Sequence, residues 1–440
     1  MSEQKKIEFL KTVLTSKILQ ELNRTDDEIV NVQLSTPEHL DGFMSTIHRL
    51  LLVVRKDKQS DEQTFNFMVK VMKGDDQFRE NCNAKVQFSN EIYIYTEVLS
   101  HFKQLLSNSG SDISGNEWCP RVLFGKAGKF PGYSNQYETI LVMENISFDG
   151  FKSGPRNDLD EDHLILMAKK IAQFHACTYA MRLTNDKHLD QLIQGITPLN
   201  YVDGDKIFHS YAVLFRLGLD RIFQYLEKHP NLLDSKQFKL DMTNLKNKYA
   251  KEPIHLMQKF LKRDEYSVIL HGDYNRNNVL FKYENGKPTD LRMIDFQENR
   301  YGTPSIDLTF FMCMSMPTGL RERLWNPLLK QYHDSLIMTL TGILKCKPDD
   351  QRLEPYTFEN FQKHLSKFGL YGGIVAAHFL PWMICPEEEC AQLSFHFAKD
   401  LNSPEMKHWT MVCGGEAVDK RLVEIFRHLS QQGYFSILDD

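Results

Sequence analysis

Apolar residues near the N-terminus recur with two different periods. From Ile7 to Ile18 they return every three or four positions, which predicts an amphipathic helix. The later stretch IHRLLLVVRKDKQSDEQTFNFMVKVM reads as two strands joined by a polar turn. From Phe65 to Met72, Phe and Val alternate with Asn, Met and Lys, which is the period of a strand. The chain is therefore predicted to open with a helix followed by paired strands.

Further along, the pattern shifts toward helices. VQFSNEIYIYTEVLSHFKQLL has helical spacing, YETILVMENI reads as one more strand, and helices dominate from about Asp158 onward. A second small group of strands interrupts them at NVLFKYENGKPTDLRMIDF, where ENGK suits a hairpin turn. The pattern predicts an α+β fold with a small β-rich N-terminal lobe, residues 1–144, and a larger, mainly helical C-terminal lobe, residues 145–440.

Composition narrows the class of protein. The 440 residues are 42% hydrophobic and 25% charged with a net charge of −5, which is ordinary for a globular protein. The sequence has no basic arm and no excess of positive charge, the features that would indicate a nucleic-acid partner. The N-terminus lacks the apolar core of a signal peptide, and no apolar stretch is long and unbroken enough to span a bilayer. We expect a cytoplasmic protein that does not insert into membranes.

The cysteines do not point to a metal site. The eight of them are scattered, and only Cys385 and Cys390 lie close together in sequence. Without a second close pair they predict no zinc centre, and in a cytoplasmic protein we expect free thiols.

The stretch HGDYNRNNVLF, residues 271–281, concentrates polar side chains just before an apolar strand. Asp273 and Asn278 precede this strand and Asp295 ends the next, so antiparallel pairing would bring the three together. Their oxygens suit Mg²⁺. The spacing H-x-D-x-x-x-x-N is that of the kinase catalytic loop, whose aspartate positions the attacking hydroxyl and whose asparagine binds metal. Taken alone, H-G-D and Asn-Asn also suit an ordinary turn before a strand.

Candidate residues for a nucleotide lie upstream. Lys70 is on a predicted strand and Glu91 on the helix after it, the order in which kinases pair a lysine with a glutamate at the α- and β-phosphates. Either residue alone would more often be a solvent-facing charge. VMEN, which contains Met143 to Asn145, ends a strand as an adenine-binding hinge would, and Gly42 is the glycine available for a phosphate-covering turn. The absence of G-x-x-x-x-G-K-[ST] argues against a P-loop enzyme.

Six segments carry a resemblance to a known family: FMVKV, FSNEIYIY, LVMENI, IAQFHA, HGDYNRNNVLF and MIDFQENRYGTPSIDLTFF. With them, the chain resembles the ecdysteroid kinase-like family, also called CHK kinase-like, from roughly Gly42 to the helices after Pro381. This family is related to choline kinases and aminoglycoside phosphotransferases. The resemblance implies a protein-kinase-like two-lobe fold.

The resemblance also implies a role for each matching residue of the C-terminal lobe. Asp273 would be the catalytic aspartate, and Asn278 and Asp295 would be magnesium ligands. His271 and Asp307 would support the catalytic loop rather than take part in the chemistry.

For the nucleotide, the resemblance implies ATP. Lys70 would contact its phosphates while paired with Glu91, and Met143 to Asn145 would form the hinge. The chain departs from the family at Asn145, where many members have aspartate, and at Asn275, where many have tryptophan.

The lengths of two segments narrow the choice of phosphate acceptor. Only eleven residues separate Asp295 from Asp307, too few for the activation segment on which protein kinases dock peptides, and no A-P-E follows. Glu144 and His271 are 127 residues apart, which leaves room for several helices that could build a substrate pocket. Six aromatic residues either line such a pocket or belong to the core: Phe208, Tyr211, Phe215, Phe368, Tyr371 and Trp382.

We therefore predict an enzyme that uses ATP and Mg²⁺ and transfers the γ-phosphoryl group to a hydroxyl of a small acceptor. An ecdysteroid or a hydroxylated xenobiotic fits the resemblance. A pseudokinase that binds nucleotide or ligand without transfer is one alternative, and a protein kinase is another. The intact set of Lys70, Asp273, Asn278 and Asp295 argues against the first, and the short segment after Asp295 argues against the second.

Overall fold

A computed structural model describes residues 3–37, 44–81, 83–110, 118–131, 133–156, 158–201 and 206–439. The chain divides into two compact units. The first comprises Met1–Gln104, Asn116–Lys152 and Arg292–Glu298, and the second comprises Leu105–Gly115, Ser153–Leu291 and Asn299–Asp440. The division into lobes at residues 144 and 145 stays a prediction.

The first unit is built on an antiparallel sheet of five strands. They are β1 (Glu28–Ser35), β2 (Ser45–Arg55), β3 (Gln63–Met72), β4 (Val122–Phe130) and β5 (Ser134–Glu144), in the spatial order β1-β2-β3-β5-β4. The predicted strands β2, β3 and β5 are confirmed, whereas β1 and β4 were not anticipated. Both lie at the edges of the sheet, and β4, VLFGKAGKF, lacks a clear alternation because glycines and lysines interrupt its apolar residues.

One face of this sheet is covered by the N-terminal helix. Helix α1 (Glu3–Glu21) buries Leu10, Leu14 and Ile18 in a cluster that also contains Val69 of β3. The predicted amphipathic helix is thus confirmed. Successive residues of a strand point to opposite faces of a sheet, so Lys70, next to Val69, lies on the face away from α1.

On that second face lies α3 (Ala84–Tyr93), whose Glu91 pairs with Lys70. The short helix α2 (Asp76–Asn81) precedes α3, and a π-helical turn at Ile94–Val98 leads from α3 to α4 (Leu99–Ser109). The helix predicted from VQFSNEIYIYTEVLSHFKQLL is confirmed.

The second unit is mainly helical, as predicted. Its helices are α5 (Glu161–Leu183), α6 (His188–Gln194), α7 (Lys206–Lys228), α8 (Lys236–Tyr249), α9 (Pro253–Phe260), α10 (Ser305–Ser315), α11 (Thr318–Leu344), α12 (Phe358–Phe368), α13 (Leu370–Ile384), α14 (Glu387–Lys399), α15 (Pro404–Val412) and α16 (Gly415–Gln431). Helices α5 to α9 account for the long stretch between Glu144 and His271. A sheet-based unit and a helical unit together confirm the predicted α+β class.

The remaining strands are short: β6 (Phe151–Ser153), β7 (Val268–Leu270), β8 (Val279–Glu284), β9 (Lys287–Met293) and β10 (Arg300–Gly302). Strands β8 and β9 are neighbours joined by Asn285 and Gly286, both with positive φ, at 51° and 79°. Positive φ at both central positions is what a tight hairpin turn requires, and Asn-Gly meets it at little cost. The predicted hairpin is confirmed.

Within the described ranges, no helix has the length and apolar character needed to cross a membrane.

Close packing of helices α10 and α13 generates a test of the helical unit. A Cβ added at Gly372 of α13 would lie 2.3 Å from the carbonyl oxygen of Thr309 in α10, which is backbone and cannot rotate away. We expect Gly372→Ala to lower the free energy of unfolding by about 1–3 kcal/mol through overpacking. Urea unfolding followed by circular dichroism measures the change.

Gly319 supplies the matched control, because a Cβ there meets nothing within 4 Å on helix α11. Gly319→Ala should leave the free energy of unfolding unchanged or raise it by up to about 1 kcal/mol. Equal effects of the two substitutions would contradict the close α10–α13 contact.

Candidate active site

Two carboxylates of the first unit meet at the ammonium group of Lys70. Its Nζ lies 3.0 and 2.8 Å from the two carboxylate oxygens of Glu91 on α3, and 3.1 Å from Oδ1 of Asp295. Lys70 and Glu91 are buried, whereas the Asp295 side chain is 34% exposed. The structure thus brings together three of the residues predicted to handle nucleotide and metal.

The backbone at Asp295 has a conformation that side chains rarely adopt. Its φ is 66°, in the left-handed region that aspartate tolerates better than most residues. The N–H of Asp295 donates to the hydroxyl of Tyr95 at 3.3 Å, and the Gln297 amide donates to its carboxylate. Tyr95 belongs to the π-helical turn after α3, a feature that recurs at functional sites. Partners on both sides therefore hold Asp295 in a strained geometry.

Burial and charge shift the pKa values of this group in opposite ways. Burial lowers the pKa of Lys70, but the negative charges of Asp295 and Glu91 outweigh it and raise that pKa above its usual value. Burial raises the pKa of the Glu91 carboxyl to about 7; Asp295 adds to this rise and Lys70 opposes it. Lys70 is therefore positively charged at neutral pH, while Glu91 lies near its titration midpoint.

The predicted hinge ends strand β5. The N–H of Glu144 donates to the Arg121 carbonyl at 2.9 Å, and the N–H of Asn145 donates to the Asn66 carbonyl at 2.9 Å. The Asn145 side chain caps the short 3-10 helix Ile146–Asp149 by accepting from the N–H and hydroxyl of Ser147. Asn145 thus fixes how the chain leaves the sheet. Gly42, the predicted phosphate-turn glycine, lies outside the described residues.

In the second unit, the catalytic-loop residues form a network around Asp273. Asn275 Nδ2 donates to Oδ1 of Asp273 at 2.8 Å, and Asn278 Nδ2 donates to Oδ2 at 2.8 Å. Each carboxylate oxygen therefore accepts one amide N–H, which fixes the plane of the carboxylate. His271 Nδ1 accepts from the N–H of Asp273 at 3.4 Å, a bracing contact of the kind predicted for it.

The backbone of the same loop is held by the buried carboxylate of Asp307, at the start of α10. Asp307 accepts from the N–H groups of His271 and Gly272, each at 2.8 Å. Gly272 has a φ of 86°, so both N–H groups can turn toward one carboxylate. Nε2 of His175 lies 3.1 Å from Asp307, and Nδ1 of His175 lies 2.9 Å from the Tyr332 hydroxyl. Asp307 occupies the support position that the sequence predicted.

Two members of these networks were not predicted from the sequence. Asn275 was noted as a departure from the family pattern, yet it orients Asp273 directly. His175 was quoted within IAQFHA without a role, although a histidine in a buried, otherwise apolar helix turn is a signal, because its ring nitrogens need partners. The convergence of Asp295 with Asp273 and Asn278 stays a prediction.

The aromatic residues proposed for a pocket or a core are mostly buried. Phe215, Phe368 and Tyr371 are among the core residues of the helical unit. Tyr211 stacks on Phe215 with ring centroids 5.9 Å apart, and Trp382 packs against a second apolar cluster. The side chain of Phe208 lies outside the described residues. Core packing accounts for at least three of the six.

The residue types around Lys70 and Asp273 are those that kinases use for phosphates, metal and the attacking hydroxyl. Residues 39–344 match the model of the Ecdysteroid kinase-like family, which is more than half of the chain. The chain therefore belongs to the ecdysteroid kinase-like family, and this membership confirms the predicted protein-kinase-like fold and supports a small-molecule kinase. No curated protein matches the chain in sequence.

Several solved structures are similar to the chain at low identity. The GDP and kanamycin complex of APH(2")-IIia is 12% identical with a TM-score of 0.38, covering 93% of this chain and 98% of that one. The GDP complex of wild-type aminoglycoside 2'-phosphotransferase-IIIa is 11% identical with a TM-score of 0.35, covering 96% and 98%. An aminoglycoside-3'-phosphotransferase of type VIII is 14% identical with a TM-score of 0.27, covering 78% and 99%. The assignment rests on the family match.

The raised pKa of Glu91 predicts a pH dependence of stability. The native carboxyl holds its proton more tightly than the unfolded one, so its contribution to stability is complete below about pH 4.5 and is lost as pH rises to about 7. We expect the free energy of unfolding of wild type, relative to Glu91→Gln, to fall across this range by up to about 3 kcal/mol. Urea unfolding at several pH values measures it.

Glu97, exposed on the same helical stretch, is the matched control. The difference between wild type and Glu97→Gln should stay level over the same pH range. A level difference for Glu91→Gln as well would contradict the raised pKa.

The buried carboxylate of Asp307 predicts a second stability effect. Asparagine keeps one oxygen but turns an N–H₂ group toward a backbone N–H that then has no acceptor. We expect Asp307→Asn to lower the free energy of unfolding by about 1–3 kcal/mol. Urea unfolding measures the effect, with Asp190→Asn as the control variant. Asp190 is exposed on α6, so its substitution should change the free energy of unfolding little. A loss of stability in Asp307→Asn no larger than that in Asp190→Asn would contradict the proposed support.

Proposed function

We propose that the protein is an ATP-dependent small-molecule kinase that transfers the γ-phosphoryl group to a hydroxyl of an ecdysteroid-like or hydroxylated xenobiotic acceptor. The observation that carries the proposal is the buried bidentate pair of Lys70 with Glu91, with Asp295 on the same ammonium. A purely structural lysine would not need two carboxylates, whereas a lysine held at nucleotide phosphates needs a rigid anchor and a neighbouring metal ligand.

The nucleotide would be held by groups of the first unit. Lys70 keeps its positive charge at neutral pH and offsets the charge of the phosphates. At the hinge, the N–H groups of Glu144 and Asn145 already donate within the sheet. The hinge, Met143 to Asn145, would bind the adenine through its backbone.

The donor set fits a magnesium ion. Asn278 uses its Nδ2 for Asp273, which leaves its Oδ1 as the ligand atom. Asp295 accepts from Lys70 and Gln297 at Oδ1, which leaves Oδ2. An amide oxygen and a carboxylate oxygen are ligands that Mg²⁺ accepts, with phosphate and water completing its shell. When bound, the ion would neutralise charge on the phosphates.

Asp273 would orient the acceptor. One amide N–H donates to each carboxylate oxygen of Asp273, so the plane of this carboxylate is fixed before substrate binds. The substrate hydroxyl would then donate its hydrogen bond to a carboxylate that is already oriented. The transition state of phosphoryl transfer is loose and needs little covalent help, so positioning of the hydroxyl supplies much of the rate.

The acceptor class rests on family membership and on the make-up of the helical unit. The segment from Asp295 to Asp307 is too short to dock a peptide in the manner of protein kinases. Five helices, α5 to α9, lie in sequence between the hinge and the catalytic loop, and these helices would provide residues for a small-molecule site.

The test is detection of phosphate transfer from Mg-ATP by mass spectrometry. Full-length protein is incubated with a panel that includes ecdysteroids, choline and hydroxylated plant toxins. We expect transfer to at least one polyhydroxylated apolar acceptor. Asp273→Asn should lower turnover roughly 10²- to 10⁴-fold while leaving Mg-ATP binding intact. Asp295→Asn should lose turnover together with productive Mg-ATP binding.

Asp349→Asn, at an exposed position, is the control for the aspartate substitutions and should retain wild-type turnover. Calorimetric titration with Mg-ATP separates binding from transfer. Full activity in Asp273→Asn would refute the assignment of that residue. Mg-ATP binding without transfer to any acceptor would instead favour a pseudokinase.

A further inference from the structure

Three polar side chains lie on one face of α3 and of the π-helical turn that continues it. Gln87, Glu91 and Tyr95 follow one another at intervals of four residues, a spacing that places side chains on the same side of a helix. All three are buried. Glu91 pairs with Lys70. Gln87 and Tyr95 are not proposed ligands of nucleotide, metal or acceptor, so their buried polar atoms need another explanation.

Tyr95 contacts the first two residues of the segment Asp295–Glu298. Its hydroxyl accepts a hydrogen bond from the N–H of Asp295 at 3.3 Å. Its ring meets the buried ring of Phe296 edge to face, with centroids 5.3 Å apart. A single side chain of the π-helical turn therefore fixes both the backbone of Asp295 and the ring of the next residue.

Gln87 contacts the other end of the same segment. Its Nε2 donates to the carboxylate of Glu298 at 2.6 Å. Its Oε1 is buried without a hydrogen-bond partner among the described residues. A half-satisfied buried amide costs free energy, so packing alone would favour an apolar side chain at this position. The hydrogen bond to Glu298 is the interaction that gives a buried glutamine a purpose here.

The backbone of Asp295 makes its carboxylate sensitive to these distant contacts. A residue other than glycine keeps a φ of 66° only where its surroundings impose that conformation. If the N–H of Asp295 lost its acceptor, the backbone could relax to a negative φ, and the carboxylate would turn with it. The direction of Oδ2, the proposed metal-ligand atom, thus depends on side chains of α3 and of the π-helical turn.

We propose that Gln87 and Tyr95 are positioning residues for metal binding by Asp295. From one face of the helix they hold the two ends of the segment Asp295–Glu298, so that Oδ2 of Asp295 stays oriented for a divalent cation. This inference rests on the proposed function, because it takes Asp295 as a metal ligand. Glu91 pairs with Lys70 directly, so nucleotide binding without metal does not depend on Gln87 or Tyr95.

The test is binding of Mn²⁺, a paramagnetic substitute for Mg²⁺, to the 440-residue chain in the presence of a non-hydrolysable ATP analogue. Electron paramagnetic resonance measures the free Mn²⁺. We expect wild type to bind Mn²⁺ when the analogue is present, and Asp295→Asn to lose this binding. Tyr95→Phe keeps the ring beside Phe296 but removes the hydroxyl, and it should raise the Kd for Mn²⁺ roughly tenfold. Gln87→Met, of similar length, should raise it in the same direction.

A second measurement separates positioning from a general loss of structure. Calorimetric titration with the same analogue in EDTA reports nucleotide binding without metal. The Kd of Tyr95→Phe and of Gln87→Met in EDTA should equal that of wild type, because the pair of Lys70 with Glu91 is intact in both variants.

The first unit supplies matched controls for both substitutions. The Tyr137 hydroxyl is hydrogen-bonded to Ser89 of the same helix at 2.8 Å, and the Gln136 amide donates to the Asp76 carboxylate at 2.6 Å. Neither hydrogen bond involves the segment Asp295–Glu298. Tyr137→Phe and Gln136→Met should therefore keep the wild-type Kd for Mn²⁺.

The outcomes distinguish this proposal from the proposed function. Unchanged Mn²⁺ affinity in Tyr95→Phe or in Gln87→Met would overturn the positioning role. So would an equal loss in Tyr137→Phe, or a loss of nucleotide affinity in EDTA as large as the loss of Mn²⁺ affinity. Absence of analogue-dependent Mn²⁺ binding in wild type would refute the proposed function itself, and the positioning role with it.

Discussion

One buried carboxylate determines the shape of the catalytic loop. Asp307 accepts the N–H groups of both His271 and Gly272, and the loop that carries Asp273 starts from these two residues. A backbone N–H buried without an acceptor costs free energy, so the loop has one favourable path past this carboxylate. His175 extends the network from Asp307 to Tyr332 on α11. The position of the candidate catalytic aspartate therefore depends on helices α5, α10 and α11.

Buried charges are stabilised by different partners in the two units. Around Lys70, opposite charges lie within hydrogen-bond distance, and the cost of burial appears as the raised pKa of Glu91. In the second unit, the buried guanidinium of Arg321 donates to the Met316 carbonyl just after α10, and burial lowers its pKa to about 10. The cost of burying charge thus appears as a shifted pKa in both units.

Much of the fold could be predicted because local patterns agreed with it. The alternation from Phe65 to Met72 placed Lys70 on the face opposite the α1 core, and Asn285-Gly286 fixed a two-residue hairpin by its backbone preference alone. Strand β4 was not predicted because glycines and lysines interrupt the alternation of its apolar residues. Its pairing with β5, rather than its own side-chain pattern, makes it a strand. Asn275 looked like a departure from a pattern, and only its distance to Asp273 gave it a role.

The sequence by itself determined the class of the protein: the helix and strand periods, the spacing of His271, Asp273 and Asn278, and the segments that mark the family. These are local properties, set by residue type and separation along one stretch of chain. Only the tertiary structure decided that Glu91 and Asp295 reach the same ammonium group and that Asp307 holds the loop. Each of these contacts joins residues distant in sequence, and the energy of a buried charge depends on what the fold places beside it.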